Sequence, residues 1–342
     1  MKEKKNILLT FDYELFLGKR SGTVEKSIII PIDRILKILS DYKHRSVFFI
    51  DTIYLLRLKE VAGRNSNAAK DFKMISEQLQ KIASQGHEIF IHLHPHWLDA
   101  SYIESENQWS LINHSRYKVS SFDEESTKKM FFDSLELIRG IIPSANLPLD
   151  GYRAGGWSIQ PFDSFVNSFN EYNIMYDFSV WRGKHYFSDA QHFDFGKVPE
   201  KDIYKFSNDV LVPDEKGKFI EIVISVIMIP EFYRRMSIRL ARYLFPRSNN
   251  EIGDGIVLQA KETSMPSNVN SSSNNLFMLS IEYLNFIVLP YYIRHLKKNN
   301  FLHFITHNKM LTKHNINTFD KFLKKSYTLF HVESDFRKML PD

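Results

Sequence analysis

Short apolar runs alternate along the chain with longer segments in which apolar residues recur every three or four positions. The short runs are rich in β-branched residues and predict buried strands, whereas the three-to-four spacing predicts amphipathic helices. The predicted strands cover residues 6–11, 46–51, 88–92, 151–153, 176–179, 219–225 and 302–306. The predicted helices cover residues 31–42, 68–85, 123–141, 162–172 and 280–299.

This alternation predicts the fold class. Strands that alternate with helices form a parallel sheet with helical crossovers, and about seven such repeats indicate a distorted (β/α) barrel. Two stretches interrupt the rhythm: residues 98–122 are polar, and residues 248–275 are rich in serine and asparagine. Because predicted strands lie on both sides of each stretch, we expect one α/β domain over residues 1–342 with two long polar insertions.

The composition supports a large core and limits the available chemistry. Of the 342 residues, 43% are hydrophobic, which is enough for a sizeable buried interior. The chain has no cysteine, which excludes disulfides, a thiolate nucleophile and thiolate metal ligands. Any metal ion must therefore be held by histidine, aspartate or glutamate.

The net charge of +5 is a mild basic bias that is compatible with an anionic partner. Much of it lies in residues 232–247, FYRRMSIRLARYLFPR, which form either a solvated helix face or a surface for membrane or anionic polymer. No recognisable nucleic-acid module accompanies the charge, so we expect no nucleic-acid partner. The N-terminal residues lack the apolar core of a signal peptide, so we expect a cytoplasmic protein, either free or at the inner membrane face.

Polar residues with catalytic or metal-binding chemistry follow the predicted strands. The segment GHEIFIHLHPHW, residues 86–97, holds four of the 13 histidines. Imidazole is a common metal ligand, and carboxylates at the end of the first strand could complete the set. In α/β barrels such groups meet at the carboxyl ends of the strands. The residues expected there are Asp12, Glu14, Asp51, His92, His94, His96, Arg153, Asp177 and His307. A metal-dependent hydrolase needs groups of this kind.

Six segments together resemble the polysaccharide deacetylase family (the NodB-homology domain, or carbohydrate esterase family 4). The matching segments are TFDYE at 10–14, SVFFI at 46–50, GHEIFIHLHPH at 86–96, YRAGGWS at 152–158, YDFSVW at 176–181 and FITHNKML at 304–311. They occur in the order that is typical of the family. The resemblance implies a distorted (β/α) barrel and one divalent metal ion, with zinc expected. It also implies N-deacetylation of an acetylated sugar in a polysaccharide or glycan precursor.

The resemblance further implies a role for each matching residue. Asp12 aligns with the catalytic base of the family, and His92 and His96 align with its two metal-binding histidines. A divalent metal ion lowers the pKa of a bound water and polarises the acetamide carbonyl. A nearby ionised carboxylate can then take the proton of the attacking water.

Three more residues align with groups that support or complete this reaction. Arg153 aligns with the arginine that orients the base, and Asp177 aligns with the acid that tethers this arginine. His307 aligns with the general acid, which donates a proton to the departing amine. The backbone near Gly156, where no side chain obstructs the approach, would stabilise the oxyanion.

The sequence departs from the family pattern in two places. Tyr13 stands where the second of two adjacent aspartates is usual, so Glu14, which shares a strand face with Asp12, is the expected third metal ligand. The third motif reads RAGG instead of RxPY. The missing tyrosine of the groove wall would be replaced by Trp157 or Trp181.

The histidine segment leaves the choice of ligands open. HLHPHW permits the pairs 92/94, 92/96 and 94/96, and Pro95 turns the backbone within it. The spacing of the family favours His92 with His96, so we expect His94 to be a supporting or substitute ligand. His87 precedes an apolar strand and is expected to form structural hydrogen bonds.

Three functions are compatible with these residues. The leading hypothesis is a metal-dependent deacetylase that acts on an N-acetylated glycan. The second keeps the scaffold but hydrolyses a small cyclic or linear amide. The third is an inactive relative that only binds glycans, suggested by the departures at Tyr13 and RAGG. The sequence does not decide the oligomeric state.

Overall fold

The computed structural model describes residues 2–18, 20–111, 116–143, 147–188, 190–256 and 275–340. The strands in these ranges are β1 (Lys4–Tyr13), β2 (Val47–Asp51), β3 (Glu88–Leu93), β4 (Ser101–Ile103), β5 (Gln108–Ser110), β6 (Gly151–Ala154), β7 (Tyr176–Asp177), β8 (His185–Phe187), β9 (His192–Asp194), β10 (Ile203–Phe206), β11 (Phe219–Ile222), β12 (Val226–Met228), β13 (Leu276–Met278), β14 (Phe301–His307) and β15 (His331–Glu333). The helices are α1 (Ile30–Asp41), α2 (Thr52–Ala62), α3 (Ser66–Ser84), α4 (Glu124–Ile141), α5 (Asp163–Glu171), α6 (Glu231–Leu244), α7 (Leu289–Lys298) and α8 (Lys313–Leu329).

The largest sheet has the strand order β10-β11-β7-β6-β3-β2-β1-β14, and β15 also pairs with β1. Every pair in it is parallel except β10 with β11. All seven predicted strands lie in this sheet, which confirms the predicted α/β class and the seven parallel strands. The sheet curls, and the N–H of Ser225 donates to the carbonyl of His303 at 3.2 Å. This contact brings the segment after β11 against β14 and makes the sheet a distorted, partly closed barrel.

Alternate residues of the strands face opposite sides of the curled sheet, as expected for extended backbone. On β1, Ile7, Leu9, Phe11 and Tyr13 belong to the core between the sheet and the outer helices. Leu8 instead packs inside the curl with aromatic side chains of the neighbouring strands. The hydroxyl of Tyr13 donates to Gln78 of α3 at 2.9 Å. The unusual tyrosine after Asp12 is therefore part of the core that faces the helices.

Four of the five predicted helices are found as α1, α3, α4 and α5. The prediction over residues 280–299 is wrong for its first half, because only α7 is helical there. Upstream of α7, the N–H of Ile305 donates to the carbonyl of Leu279 at 3.0 Å, and the N–H of Ile281 donates to the hydroxyl of Thr306 at 3.2 Å. This segment thus bonds to β14, and the helix starts only near Pro290, which suits a first turn.

The two polar insertions contain more order than their composition indicates. Residues 98–122 include the hairpin of β4 and β5, and Trp109 on β5 is buried. Of the predicted insertion at 248–275, residues 257–274 lie outside the described residues. The part before them bonds to the barrel, since the N–H of Ile252 donates to the carbonyl of Leu311 at 3.0 Å. No helix in the described part of the chain is long and apolar enough to cross a membrane.

Candidate active site

The register of the parallel strands brings the predicted site residues together. Asp12 on β1 pairs with His307 on β14, and Asp51, His92 and Arg153 form one row across β2, β3 and β6. Adjacent strands lie about 4.8 Å apart, so side chains in these rows are within reach of one another. The register thus places these five residues at the same end of the sheet.

Glu14, His92 and His94 form a group whose ligand atoms all lie within 4.8 Å of one another. Glu14 Oε2 is 3.6 Å from His92 Nε2 and 2.9 Å from His94 Nε2. The two Nε2 atoms are 2.9 Å apart. One carboxylate oxygen and two imidazole nitrogens are a frequent ligand set of catalytic zinc.

A hydrogen bond to the backbone orients His92 so that it can bind a cation. His92 Nδ1 lies 2.8 Å from the backbone carbonyl of Arg153. Because a carbonyl oxygen only accepts, Nδ1 carries a proton, and Nε2 is the ring nitrogen that faces the group. A second bond of this kind fixes the tautomer in known metal sites. The residues present therefore fit a divalent metal ion.

Lys309 fixes the orientation and charge of Glu14. Its Nζ lies 2.8 Å from Glu14 Oε1 and donates to the carbonyl of Leu15 at 2.9 Å, which leaves Glu14 Oε2 facing the imidazoles. Burial favours the neutral carboxyl, but Lys309 and His94 hold the pKa of Glu14 well below its usual value. Glu14 is therefore ionised, as a metal ligand must be.

His96 lies outside this group. It belongs to a short 3-10 helix, Pro95–Asp99, that starts immediately after His94. The His96 ring stacks on Tyr117 with a centroid separation of 4.9 Å. Strand alternation keeps His92 and His94 on one face, and the proline then turns the chain away. The structure thus favours His92 and His94 as the pair of metal-binding histidines. The expected pair was His92 with His96.

Arg153 holds the proposed base. Its Nη1 donates to Asp12 Oδ1, its Nη2 donates to the hydroxyl of Thr10 at 2.8 Å, and its Nε donates to the carbonyl of Phe178 at 3.1 Å. His303 Nε2 lies 3.1 Å from Arg153 Nη2, and its Nδ1 faces a backbone carbonyl at 3.1 Å, so Nε2 is the acceptor. Burial opposes ionisation, but the guanidinium lowers the pKa of Asp12 below its usual value.

Asp177 is connected to this network through Ser179. It accepts hydrogen bonds from the hydroxyl and the N–H of Ser179, at 2.7 and 3.2 Å. The Ser179 hydroxyl in turn accepts from the N–H of Ala154, the residue after Arg153. Among the described residues, Asp177 thus reaches Arg153 through Ser179 and the backbone, and not by the direct contact that the family role implies. Burial raises the pKa of Asp177.

His307 lies on the other side of Asp12. Its Nε2 is 3.6 Å from Asp12 Oδ2, and its Nδ1 is 3.2 Å from Glu282 Oε2. Burial of the imidazole lowers its pKa, but Glu282 and then Asp12 outweigh this effect and raise the pKa of His307 to about 9. Near neutral pH the ring is therefore protonated and suited to donate a proton.

Asp51 is buried next to the group but has a structural function in the fold. It is the N-cap of α2, where its Oδ1 accepts from the N–H of Tyr54 at 3.3 Å. Its Oδ2 accepts from Trp97 Nε1 at 2.6 Å. Burial raises the pKa of Asp51 to about 8. Capping of α2 accounts for the position of Asp51 at the end of β2.

A cavity of about 350 Å³ lies over the charged groups. Trp157 and Gly156 line it together with Tyr117 and Gln191. Trp181 packs against Trp157 with ring centroids 5.0 Å apart. Gly156 has φ +56°, and a Cβ there would lie 2.5 Å from Tyr117 Cε1. The glycine thus lets the loop close over the cavity, and Trp157 with Tyr117 supplies an aromatic wall.

Several residues of the site were not predicted as members. They are Tyr117, Gln191, Glu282, His303 and Lys309. Tyr117 lies in a stretch interpreted as a polar insertion, and Glu282 lies in a wrongly predicted helix. His303 had a usable signal, because a strand that points residue 307 inward also points residue 303 inward. For Gln191 no motif in the sequence gives a signal.

Solved structures with similar backbones include deacetylases. A Mycobacterium smegmatis protein, provisionally described as a polysaccharide deacetylase, matches with a TM-score of 0.50 and 12% identity over 99% of this chain and 89% of that one. Puue allantoinase matches with a TM-score of 0.45 and 12% identity over 96% and 85%. The catalytic domain of peptidoglycan N-acetylglucosamine deacetylase from Eubacterium rectale ATCC 33656 has a TM-score of 0.34 and 14% identity over 95% and 84%.

The first of these likenesses defines the class of the fold. The curled, mostly parallel sheet with its outer helices is the NodB-like fold of polysaccharide deacetylases. At identities this low the likeness concerns the fold and not the reaction. No protein-family model matches the sequence, and the comparison with curated proteins gives no match.

Proposed function

We propose that the protein is a metal-dependent hydrolase that removes the N-acetyl group from an acetylated sugar of a polysaccharide or glycan precursor. The observation that carries this proposal is the pairing of Asp12 with His307 beside the group of Glu14, His92 and His94. An ionised carboxylate and a protonated imidazole stand 3.6 Å apart, next to a ligand set for a divalent ion. Amide hydrolysis needs a base for the water and an acid for the amine, and this pair supplies both.

Asp12 would take the proton of the attacking water. Arg153 keeps this carboxylate ionised and fixes its orientation, while Thr10 and His303 hold the guanidinium in place. His307 would give its proton to the nitrogen as the carbon–nitrogen bond breaks, since an amine leaves far more easily than its anion. Glu282 keeps His307 charged until that step.

A divalent ion held by Glu14, His92 and His94 would polarise the acetamide carbonyl and acidify the water, with zinc as the expected ion. The aromatic wall of the cavity suits a sugar ring, whose apolar face packs on aromatic side chains. Trp157 would supply this contact, and Trp181 packs against the Trp157 ring.

Acetate release from N-acetylglucosamine oligosaccharides, measured with purified protein and added zinc, tests the proposal. We expect acetate release from the wild type and a loss of at least about 100-fold in Asp12→Asn, which keeps the shape of the side chain but cannot act as a base. Asp133→Asn, which removes a half-buried carboxylate of α4 that pairs with Lys129, is the matched control and should retain full activity.

The same assay separates the alternative functions. Turnover of cyclic or linear small amides without acetate release would replace the proposal with the second hypothesis. Glycan binding without turnover of either substrate class, at full zinc occupancy, would identify a binding protein and would overturn the enzyme assignment.

A further inference from the structure

Helix α6 presents its large apolar residues to solvent and its small residues to the protein. Ser237 and Ala241 are buried. Phe232, Met236 and Tyr243 are 76%, 46% and 82% exposed. At about 100° per residue these three side chains fall within one narrow arc of the helix, opposite the buried face. An amphipathic helix usually packs its apolar face against the protein, whereas α6 turns this face to solvent. The exposed apolar face therefore indicates a partner outside the described chain.

Arginines lie along one border of this apolar face. Arg235, Arg239 and Arg242 are exposed and follow one another at helical spacing. Arg235 pairs with Glu231, whereas Arg239 and Arg242 have no carboxylate within salt-bridge distance among the described residues. The segment 231–247 has five arginines and one glutamate, a net charge of +4 compared with +5 for the whole chain. A local net charge of +4 thus lies beside an exposed apolar surface.

We infer that α6 docks on an anionic lipid membrane, with the aromatic and aliphatic side chains in the headgroup region and the arginines on lipid phosphates. An apolar arc bordered by basic residues is the design of helices that lie in the plane of a membrane interface. A second copy of this chain would bring the two arginine rows close together and is disfavoured by charge. Anionic lipid has the complementary charge and an apolar layer for the exposed rings.

The position of α6 connects this surface to the cavity of the site. Ile238 and Arg242 line a second cavity together with Glu282 and Tyr283, and the latter two residues also line the cavity over Asp12. Docking through α6 would hold the site near the lipid surface. The inference itself rests on the exposed face and its charge and is independent of the proposed function.

Flotation of the full chain with lipid vesicles tests the inference. The probes are vesicles of phosphatidylcholine alone and of phosphatidylcholine with phosphatidylglycerol. We expect binding to the anionic vesicles only, weakened by at least about tenfold in the double variant Arg239→Glu/Arg242→Glu. Lys324→Glu/Lys325→Glu on α8 makes the same change in net charge at an exposed site of another helix and should bind like the wild type.

A second pair of variants tests the apolar contribution. Phe232→Ser/Tyr243→Ser should also lose at least about tenfold in vesicle binding, because the two exposed rings would no longer enter the headgroup region. Phe132→Ser on α4, where the phenylalanine is 51% exposed, is the control and should bind normally. Circular dichroism confirms that each variant is folded. Asp12→Asn should bind vesicles like the wild type, which separates docking from catalysis.

Three results would overturn the inference. The first is that the wild type does not float with anionic vesicles. The second is that only the arginine variant loses binding, since this indicates adsorption by charge alone. The third is a stable dimer in sedimentation velocity that Phe232→Ser/Tyr243→Ser converts to monomer, since this assigns the surface to a second copy.

Discussion

His307 Nε2 lies 3.6 Å from Asp12 Oδ2, and the two residues pair across the adjacent parallel strands β14 and β1. Burial works against the charge on both, yet Arg153 lowers the pKa of Asp12 and Glu282 raises the pKa of His307 to about 9. The carboxylate is thus ionised and the imidazole protonated over a broad range that includes neutral pH. A general base and a general acid are both ready in this range.

Glu282→Gln should shift the alkaline limb of the pH–activity profile to lower pH. The carboxylate stabilises the imidazolium, so its removal lowers the pKa of His307, and the protonated acid is lost at a lower pH. An opposite charge at this distance changes a pKa by about 1–3 units, which is the expected shift of the limb. The rate of acetate release as a function of pH measures it.

Glu136→Gln, which removes an exposed carboxylate paired with Arg139, is the control for this experiment and should leave the profile unchanged. An alkaline limb that stays in place in Glu282→Gln would show that His307 does not limit the rate on that side.

Metal content distinguishes the two candidate histidines. His94→Ala should lose stoichiometric zinc, with affinity lowered by more than the roughly 10–100-fold that outer-shell changes cause. His96→Ala should retain it, because the His96 ring stacks on Tyr117 and is not in the ligand group. Zinc retention after dialysis and calorimetric titration measure the difference. Loss of zinc in His96→Ala together with retention in His94→Ala would restore the pair favoured by sequence.

Gly155→Ala should destabilise the protein by about 1–3 kcal/mol, as overpacking of a tight site does. A Cβ at this position would lie 2.3 Å from the carbonyl oxygen of Leu93 and 2.9 Å from His94 Nδ1. Gly140→Ala in α4 is the matched control, since its Cβ meets nothing within 4 Å, and it should stabilise the helix by about 0.5–1 kcal/mol. Urea denaturation measures both, and an unchanged midpoint in Gly155→Ala would contradict the close approach.

The buried imidazoles of His44 and His87 should contribute stability that is lost as the pH drops below 6.5. Burial lowers the pKa of His44 to about 3 and that of His87 to about 4. Between pH 6.5 and these values the unfolded chain takes up protons at both positions and the folded chain does not, so at these two positions acid favours unfolding. In His44→Gln the slope of stability against pH should be smaller by up to about 1.4 kcal/mol per pH unit.

Chemical denaturation at several pH values between 4 and 8 measures this slope. His331→Gln replaces an exposed histidine and should keep the slope of the wild type. If His44→Gln also keeps it, the buried imidazole of His44 does not contribute to the pH dependence of stability.

The sequence by itself determined which segments form the parallel sheet and which polar residues lie at the ends of its strands. Buried parallel strands are continuous apolar runs, so all seven could be located, and the residues directly after them follow from position alone. The alternation of extended backbone also predicted that Asp12 and Glu14 share a face. The same rule applied to His92 and His94 would have identified the ligand pair that the structure brings together.

Only the tertiary structure decided what the irregular segments contribute. The turn at Pro95 directs His96 to Tyr117, and the segment before α7 bonds to β14 and thereby brings Glu282 to His307. These placements depend on contacts between residues far apart in the chain, for which local patterns carry no signal. The stretch 232–247 was basic and apolar in the sequence. The packing of Ser237 and Ala241 against the protein decided that its large apolar side chains face outward.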